Sequence, residues 1–194
     1  MDKKILVVAS ANAHKIKEIS QMLPDFTVKG YKEFGLDFEI DETGETFFEN
    51  AFIKAKTVSE ILKLPVLSDD SGLSVEVLGG EPGVYSARYA GDGNDEHNND
   101  KLLLNLEKYT DMEQRKAKFV CCMVYYRSND DWHTVTGETE GAIAFQREGE
   151  NGFGYDPIFY SYDLKKSLGV ATAIEKNSIS HRSRALKEIV KVIK

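Results

Sequence analysis

The sequence predicts an α/β fold built on a mixed β-sheet flanked by helices. Two observations lead there: helices are interleaved with strands along the chain, and several strand-like runs follow one another with no helix between them. Its 194 residues suit one domain, spanning 1–194, with one or two lobes and a substantial core. Prolines number four, and no linker-like stretch, repeat or low-complexity tract divides the chain.

The first element is a strand over 4–10. Lys3-Lys4 before Ile5-Leu6-Val7-Val8-Ala9 resembles a signal peptide superficially, but the apolar stretch is short and an amphipathic helix follows at once. That helix covers about 13–23, with Ile16, Ile19 and Leu23 as its apolar stripe. A second spans about 45–63, with Phe48, Ala51, Phe52, Ala55, Val58 and Leu62 on or near one face. Strands are expected at 65–69 and 73–78, hinged by Asp70-Ser71-Gly72, because Asp, Ser and Gly favour turns. A helix near 95–109 rests on Leu102, Leu103 and Leu106. Strands follow at 117–127, 131–137 and 141–146, the first rich in Phe, Val and Tyr. Glycine-rich sequence over 149–156 leads to the short apolar segment Pro157 to Tyr160. A last helix, 181–193, packs through Ala185, Ile189 and Val192.

Charge and composition narrow the function. The formal net charge of -7 and pI near 5.2 argue against a partner such as DNA or RNA, whose backbone needs a broad basic surface. A small anionic ligand remains compatible, because a few local cations can hold one, and a divalent cation would be welcome where carboxylates meet phosphates. Cys121 and Cys122 are adjacent in a strand, point to opposite faces, and read as core thiols of a reducing compartment. No stretch is long and apolar enough to span a membrane, and the expected location is the cytoplasm.

Five segments could carry chemistry. In Ser10-Ala11-Asn12-Ala13-His14-Lys15 a buried strand gives way to a helix with Asn12 as its cap. The helix dipole favours an anion there, and Lys15 in the first turn adds a full positive charge. A cation at that end opposes the dipole, so it reads either as an ordinary surface lysine or as one that meets something negative. In Asp41-Glu42-Thr43-Gly44-Glu45 the acids are either ordinary helix-start residues or a source of metal ligands. Asn50 and Lys54, four apart on the next helix, share a face, so Lys54 could reach a phosphate.

The acidic pair of Ser68-Asp69-Asp70-Ser71-Gly72 has apolar flanks on both sides. Two carboxylates near a core repel unless one is protonated or a cation sits between them, and a hard divalent ion wants such oxygens. Around Phe153, the glycines of 149–156 either make a plain loop or bare an aromatic face for stacking on a base. Ser180-His181-Arg182 gathers polar donors at a helix start. No Gly-x-Ser-x-Gly elbow exists for a serine hydrolase, and Asp69-Asp70 does not supply the Asp-x-Asp of an aspartyl phosphatase.

Taken in order, these segments resemble the inosine triphosphate pyrophosphatase family. The resemblance runs from Ser10 to Arg182. It is carried by Asp69-Asp70-Ser71-Gly72-Leu73, Gly83-Val84-Tyr85-Ser86-Ala87-Arg88-Tyr89, Phe153-Gly154-Tyr155-Asp156-Pro157 and Ser180-His181-Arg182. It implies an elongated mixed sheet flanked by helices, two lobes with a central cleft, and a homodimer. It also implies Mg²⁺-dependent hydrolysis of ITP, dITP and XTP to the nucleoside monophosphate and pyrophosphate.

By position, the resemblance assigns phosphate binding to Ser10, Ala11, Asn12, Ala13, His14 and Lys15, with Lys54 neutralising the triphosphate. Asp70 matches the metal-linked general base and Ser71 a substrate contact. Asp41 matches a metal ligand that is more usually Glu, with Glu42 beside it. Phe153, in the run with Gly154 and Tyr155, would stack on the base, while Asp156, Lys176, His181 and Arg182 would shape a pocket for a 6-keto purine. Two rivals remain: a pyrophosphatase of related fold acting on dTTP or UTP, and a non-catalytic nucleotide sensor.

Overall fold

Strand β1 (Lys4–Val8) lies between two parallel neighbours, β2 (Phe26–Gly30) and β3 (Val66–Val75), and this arrangement organises the first half of the chain. The computed structural model describes residues 3–193. Lys4 pairs with Phe26 and Val8 with Gly30 in the β1–β2 register. Parallel pairing requires crossovers, which α1 (Ala13–Met22) and α2 (Phe47–Leu62) supply. Further along come α3 (Asp95–Asn105), β4 (Lys116–Ser128), β5 (Asp131–Ile143), β6 (Phe159–Ser161) and β7 (Lys166–Ser167). Helices α4 (Ala173–Ile179) and α5 (His181–Ile193) end the described chain.

The sheet order is β2-β1-β3-β4-β5-β6-β7, and β5, β6 and β7 pair antiparallel. Parallel and antiparallel ladders thus share one sheet, as the consecutive strands predict. The chain divides into two compact units. The first contains residues up to Asp70, Cys121–Gly137 and the chain from Arg182 onward; the second contains Ser71–Val120 and Glu138–His181.

In the first unit, both faces of β1 are covered, which is why its apolar residues run continuously instead of alternating. Leu6 and Val8 pack with Ile19 of α1, with Leu23 just after it, and with Ala185, Leu186 and Ile189 of α5. Val7 and Ala9 point the other way and pack with Val58 of α2 and Tyr31. The second unit has its own core, built on Leu73, Leu102, Leu106, Phe119, Ile143, Phe159 and Leu168.

Three expectations need correction. The turn expected at Asp70-Ser71-Gly72 is absent: β3 runs unbroken from Val66 to Val75. Its place between β1 and β4 in the sheet overrides the local turn preference. The two strands expected at 131–137 and 141–146 are one, β5, in which Gly141 leaves room for β6: a Cβ there would lie 2.2 Å from the Tyr160 carbonyl. Strand β2 and helix α4 were not anticipated, and α3 ends at Asn105 rather than near 109. Among the described residues no helix is long and apolar enough to cross a membrane.

Candidate active site

Because β3 stays extended, neighbouring side chains leave it on opposite faces. Asp69 therefore faces the layer of α1 and α5, and Asp70 faces α2, and the two carboxylates acquire different partners.

Asp69 is 1% exposed and receives cations from both helices of its layer. Arg182 Nε lies 2.6 Å from its Oδ2, and Lys15 Nζ lies 2.8 Å from its Oδ1. The buried Arg182 guanidinium also pairs with Glu18 of α1 at 2.5 Å. Burial alone would raise the Asp69 carboxyl, but Arg182 and then Lys15 outweigh it and hold the group well below the ordinary carboxylate range. Cys121 Sγ donates to the same carboxylate at 3.2 Å. Burial and that negative neighbour push its thiol well up, which disfavours the thiolate.

Lys15 owes its place to the start of α1. The Asn12 side chain accepts from the amides of His14 and Lys15, which caps the helix and leaves Nδ2 as the donor Asn12 can give a ligand. Ser10 Oγ accepts from the Asn12 amide, and Ala11, Ala13 and His14 are exposed around the cap. The cation at the positive end of the helix is thereby explained: within the protein its counter-charge is Asp69.

Asp70 meets Lys54. The ammonium of this buried lysine lies 2.6 Å from Asp70 Oδ1, 2.7 Å from Glu42 Oε1 and 3.0 Å from the Asp69 carbonyl. Burial lowers the Lys54 pKa and the two carboxylates more than offset it, so the net direction is upward. Burial also raises Asp70, with Lys54 opposing. The structure brings Glu42 to Asp70 through the Lys54 they share, and Asp41, the preceding residue, is exposed. The Glu42 loop is fastened by Asn50, whose Oδ1 accepts from the Gly44 amide at 2.8 Å. A Cβ on Gly44 would lie 2.5 Å from that of Glu49, so only glycine fits the turn.

Three oxygens thus surround one cationic centre, the chemistry a hard divalent ion selects. Among the described residues no three carboxylate, imidazole or thiolate side chains form a metal cage. The Glu42–Asp70 pair fits Mg²⁺ in the other common manner, one or two carboxylates completed by substrate phosphates and water.

A second cluster belongs to the second unit. The Asp156 carboxylate, 1% exposed, accepts from the Phe153 amide at 2.9 Å and from Lys176 Nζ at 2.6 Å. Gly152 has a φ of 79°, and a Cβ there would lie 2.0 Å from Asp156 Oδ2, so the loop and the carboxylate close on each other only around glycine. The Lys176 ammonium sits 4.6 Å from the centroid of the half-exposed Phe153 ring. Tyr155 is buried, its hydroxyl donating to the Ser86 carbonyl at 2.8 Å, and burial pushes its phenol up. His181 is buried and stacks on Phe119 at 4.9 Å.

The expected residues therefore form two groups. Asn12, Lys15, Glu42, Lys54, Asp69, Asp70 and Arg182 gather in the first unit. Phe153, Gly154, Asp156 and Lys176 gather in the second, where Ser71 and His181 also lie. Arg182, expected to shape the base pocket, pairs with Asp69 and Glu18. Glu18 went unnoticed, although its place one helical turn after Lys15 puts both on one face of α1.

Comparison with known proteins identifies the family. A dITP/XTP pyrophosphatase of Bacillus subtilis is 44% identical over 192 residues, covering 98% of this chain and 97% of its own. One from Clostridium perfringens is 43% identical over 195 residues, covering 96% of this chain and 95% of its own. The structure of the Staphylococcus aureus Ham1 protein superimposes with a TM-score of 0.87 at 42% identity, covering 98% of each chain. A HAM1 protein from Coxiella burnetii gives 0.88 at 38% identity, again over 98% of each chain. The family model for the Ham1 family matches residues 6–192, and the chain belongs to that family.

Proposed function

We propose that this chain hydrolyses deaminated purine nucleoside triphosphates, ITP, dITP and XTP, to the nucleoside monophosphate and pyrophosphate, as one pyrophosphatase domain over 1–194. The observation that carries the reading is the Glu42–Lys54–Asp70 set beside the capped α1 terminus, since it joins phosphate-binding cations to carboxylates suited to a divalent ion. The names of the Bacillus and Clostridium relatives support the choice of substrate.

In this reading Asn12 Nδ2, Lys15 and the dipole of α1 hold the phosphates, with Ser10 to His14 forming the cradle. Lys54 neutralises phosphate charge while keeping Glu42 and Asp70 in place. Glu42 and Asp70 would hold Mg²⁺, which when bound would supply charge neutralisation and Lewis-acid polarisation at the triphosphate. Asp70 orients the attacking water and accepts its proton as the bond between the α-phosphorus and the bridging oxygen breaks. Pyrophosphate then leaves on that oxygen. Ser71 touches the substrate, and Arg182 acts through Asp69, holding it so that Lys15 stays aimed.

Phe153 offers the base one ring face, the Lys176 ammonium lying against the ring. Gly154, Tyr155, Asp156 and His181 shape the surrounding pocket. Donors placed for a 6-keto oxygen would be left unpaired by a 6-amino group, which discriminates strongly. The working form we propose is a cytoplasmic homodimer without nucleic-acid or membrane partners.

The test is pyrophosphate release from ATP, GTP, dTTP, UTP, ITP, dITP and XTP, each with and without Mg²⁺. Fastest turnover of the three deaminated purines is expected, and none without the metal. UTP or dTTP turning over faster than ITP would overturn the substrate assignment, and no release from any triphosphate would favour a sensor.

A further inference from the structure

Gly154 follows the half-exposed Phe153, and both of its backbone polar groups are held by α3. Asp95 Oδ2 accepts from the Gly154 amide at 2.8 Å, and Asn99 Nδ2 donates to the Gly154 carbonyl at 3.0 Å. The two side chains are four residues apart, hence neighbours on one face of the helix. The next pair along, Glu96 and Asp100, takes the start of the same loop: the Arg147 guanidinium donates to the Glu96 carbonyl at 2.9 Å and to Asp100 at 2.8 Å. Helix α3 is therefore the bed on which the glycine-rich loop lies.

Packing does not account for the grip on Gly154. Its φ is 62°, and nothing lies within 4 Å of where a Cβ would be, so the residue is not wedged by neighbours. Asn99 is 1% exposed, and its Oδ1 has no hydrogen-bond partner among the described residues. The amide orientation is fixed, because only Nδ2 can donate to a carbonyl. A buried amide with an idle acceptor is a poor choice for filling space, since an apolar side chain of that shape would leave nothing unsatisfied. What Asn99 supplies is the donor to Gly154.

We propose that Asp95 and Asn99 are positioning residues for nucleobase recognition, holding Gly154 and thereby the Phe153 ring in the orientation that stacks on a purine. The inference rests on the base-stacking reading of Phe153 given above. Asp156 fixes the Phe153 amide on one side and α3 fixes Gly154 on the other, so the ring is presented already ordered. Releasing the α3 side leaves the phosphate chemistry in place and charges the ordering of the loop to substrate binding.

The experiment measures KM and kcat for ITP, with inhibition by inorganic tripolyphosphate, which has no base, as the control. Asp95 is exposed, so its substitution leaves the core intact. Asp95→Ala is expected to raise the KM for ITP by about tenfold, with kcat and tripolyphosphate inhibition unchanged. Asp95→Asn, which keeps an acceptor, restores most of the loss, and Asn99→Leu behaves like Asp95→Ala. In a Phe153→Ala background, Asp95→Ala adds nothing further. Should Phe153→Ala raise KM while Asp95→Ala and Asn99→Leu leave it alone, the clamp is overturned and stacking survives. An equal weakening of tripolyphosphate by Asp95→Ala also overturns it, as a general structural effect. An unaltered KM in Phe153→Ala would instead overturn the stacking reading itself.

Discussion

Asp69 and Asp70 are chemically identical neighbours with opposite surroundings, and alternation along β3 is the cause. Asp69 is enclosed with two cations, whereas Asp70 shares one lysine with Glu42. Their substitutions should therefore separate activity from stability. Asp70→Asn is expected to cut turnover by roughly 10²–10⁴-fold. Asp69→Ala leaves the Arg182 guanidinium buried without its main counter-charge, and should cost about 3 kcal/mol or more in urea unfolding. Similar stability losses in both variants would contradict this division. The adjacent acids Asp41 and Glu42 divide in the same way. Glu42→Gln should raise the Mg²⁺ concentration needed for half-maximal activity by about tenfold, the loss of one charged ligand. Asp41→Asn should barely move it, and the reverse order would return the metal to Asp41.

At the scale of elements, what could be read from the sequence was what neighbouring residues decide. The apolar run of β1, the Asn12 cap of α1 and the stripe of α2 each depend on contacts within a turn or two, and all three are present. The turn expected at Asp70-Ser71-Gly72 follows local preference too, but there the sheet prevails. Asp69 and Arg182 are 113 residues apart, and no local pattern could have joined them. Nor could a local pattern say which of Asp41 and Glu42 meets Lys54, since that depends on where Lys54 reaches. Helix α4 is a different kind of omission: Thr172 and Glu175 have capping-box spacing in plain sequence. This cap predicts a pH effect, because Glu175 is lowered from 4.5 to about 2, first by Lys166 and then by Thr172. A depressed carboxylate contributes stability above its unfolded pKa and loses it as pH falls through the folded one, here between 4.5 and about 2. Glu175→Gln should accordingly lower Tm at pH 7 and flatten its fall across that window. Tm curves running parallel from pH 7 to 2 would remove the cap from the account.

For the whole molecule, charge decides how an acidic protein can hold a polyanion. The chain carries -7 overall, so its average field repels a triphosphate. The local balance does not reverse this. Among these seven described residues, the three cations Lys15, Lys54 and Arg182 face the four carboxylates of Glu18, Glu42, Asp69 and Asp70. These cations are already committed to carboxylates, so an incoming phosphate must share them. A divalent ion at Glu42 and Asp70 would bring two positive charges to the point where these carboxylates meet the triphosphate. Mg²⁺ should therefore govern binding as well as hydrolysis. A non-hydrolysable α,β-methylene analogue of ITP is expected to bind at least about tenfold more tightly in Mg²⁺ than in EDTA, as measured by calorimetry. Glu42→Gln should narrow that difference, because it removes a ligand and one of the opposing charges together. If the analogue bound equally well in EDTA, the protein's own cations would be sufficient for the triphosphate, and the ion's part would be confined to the bond-breaking step.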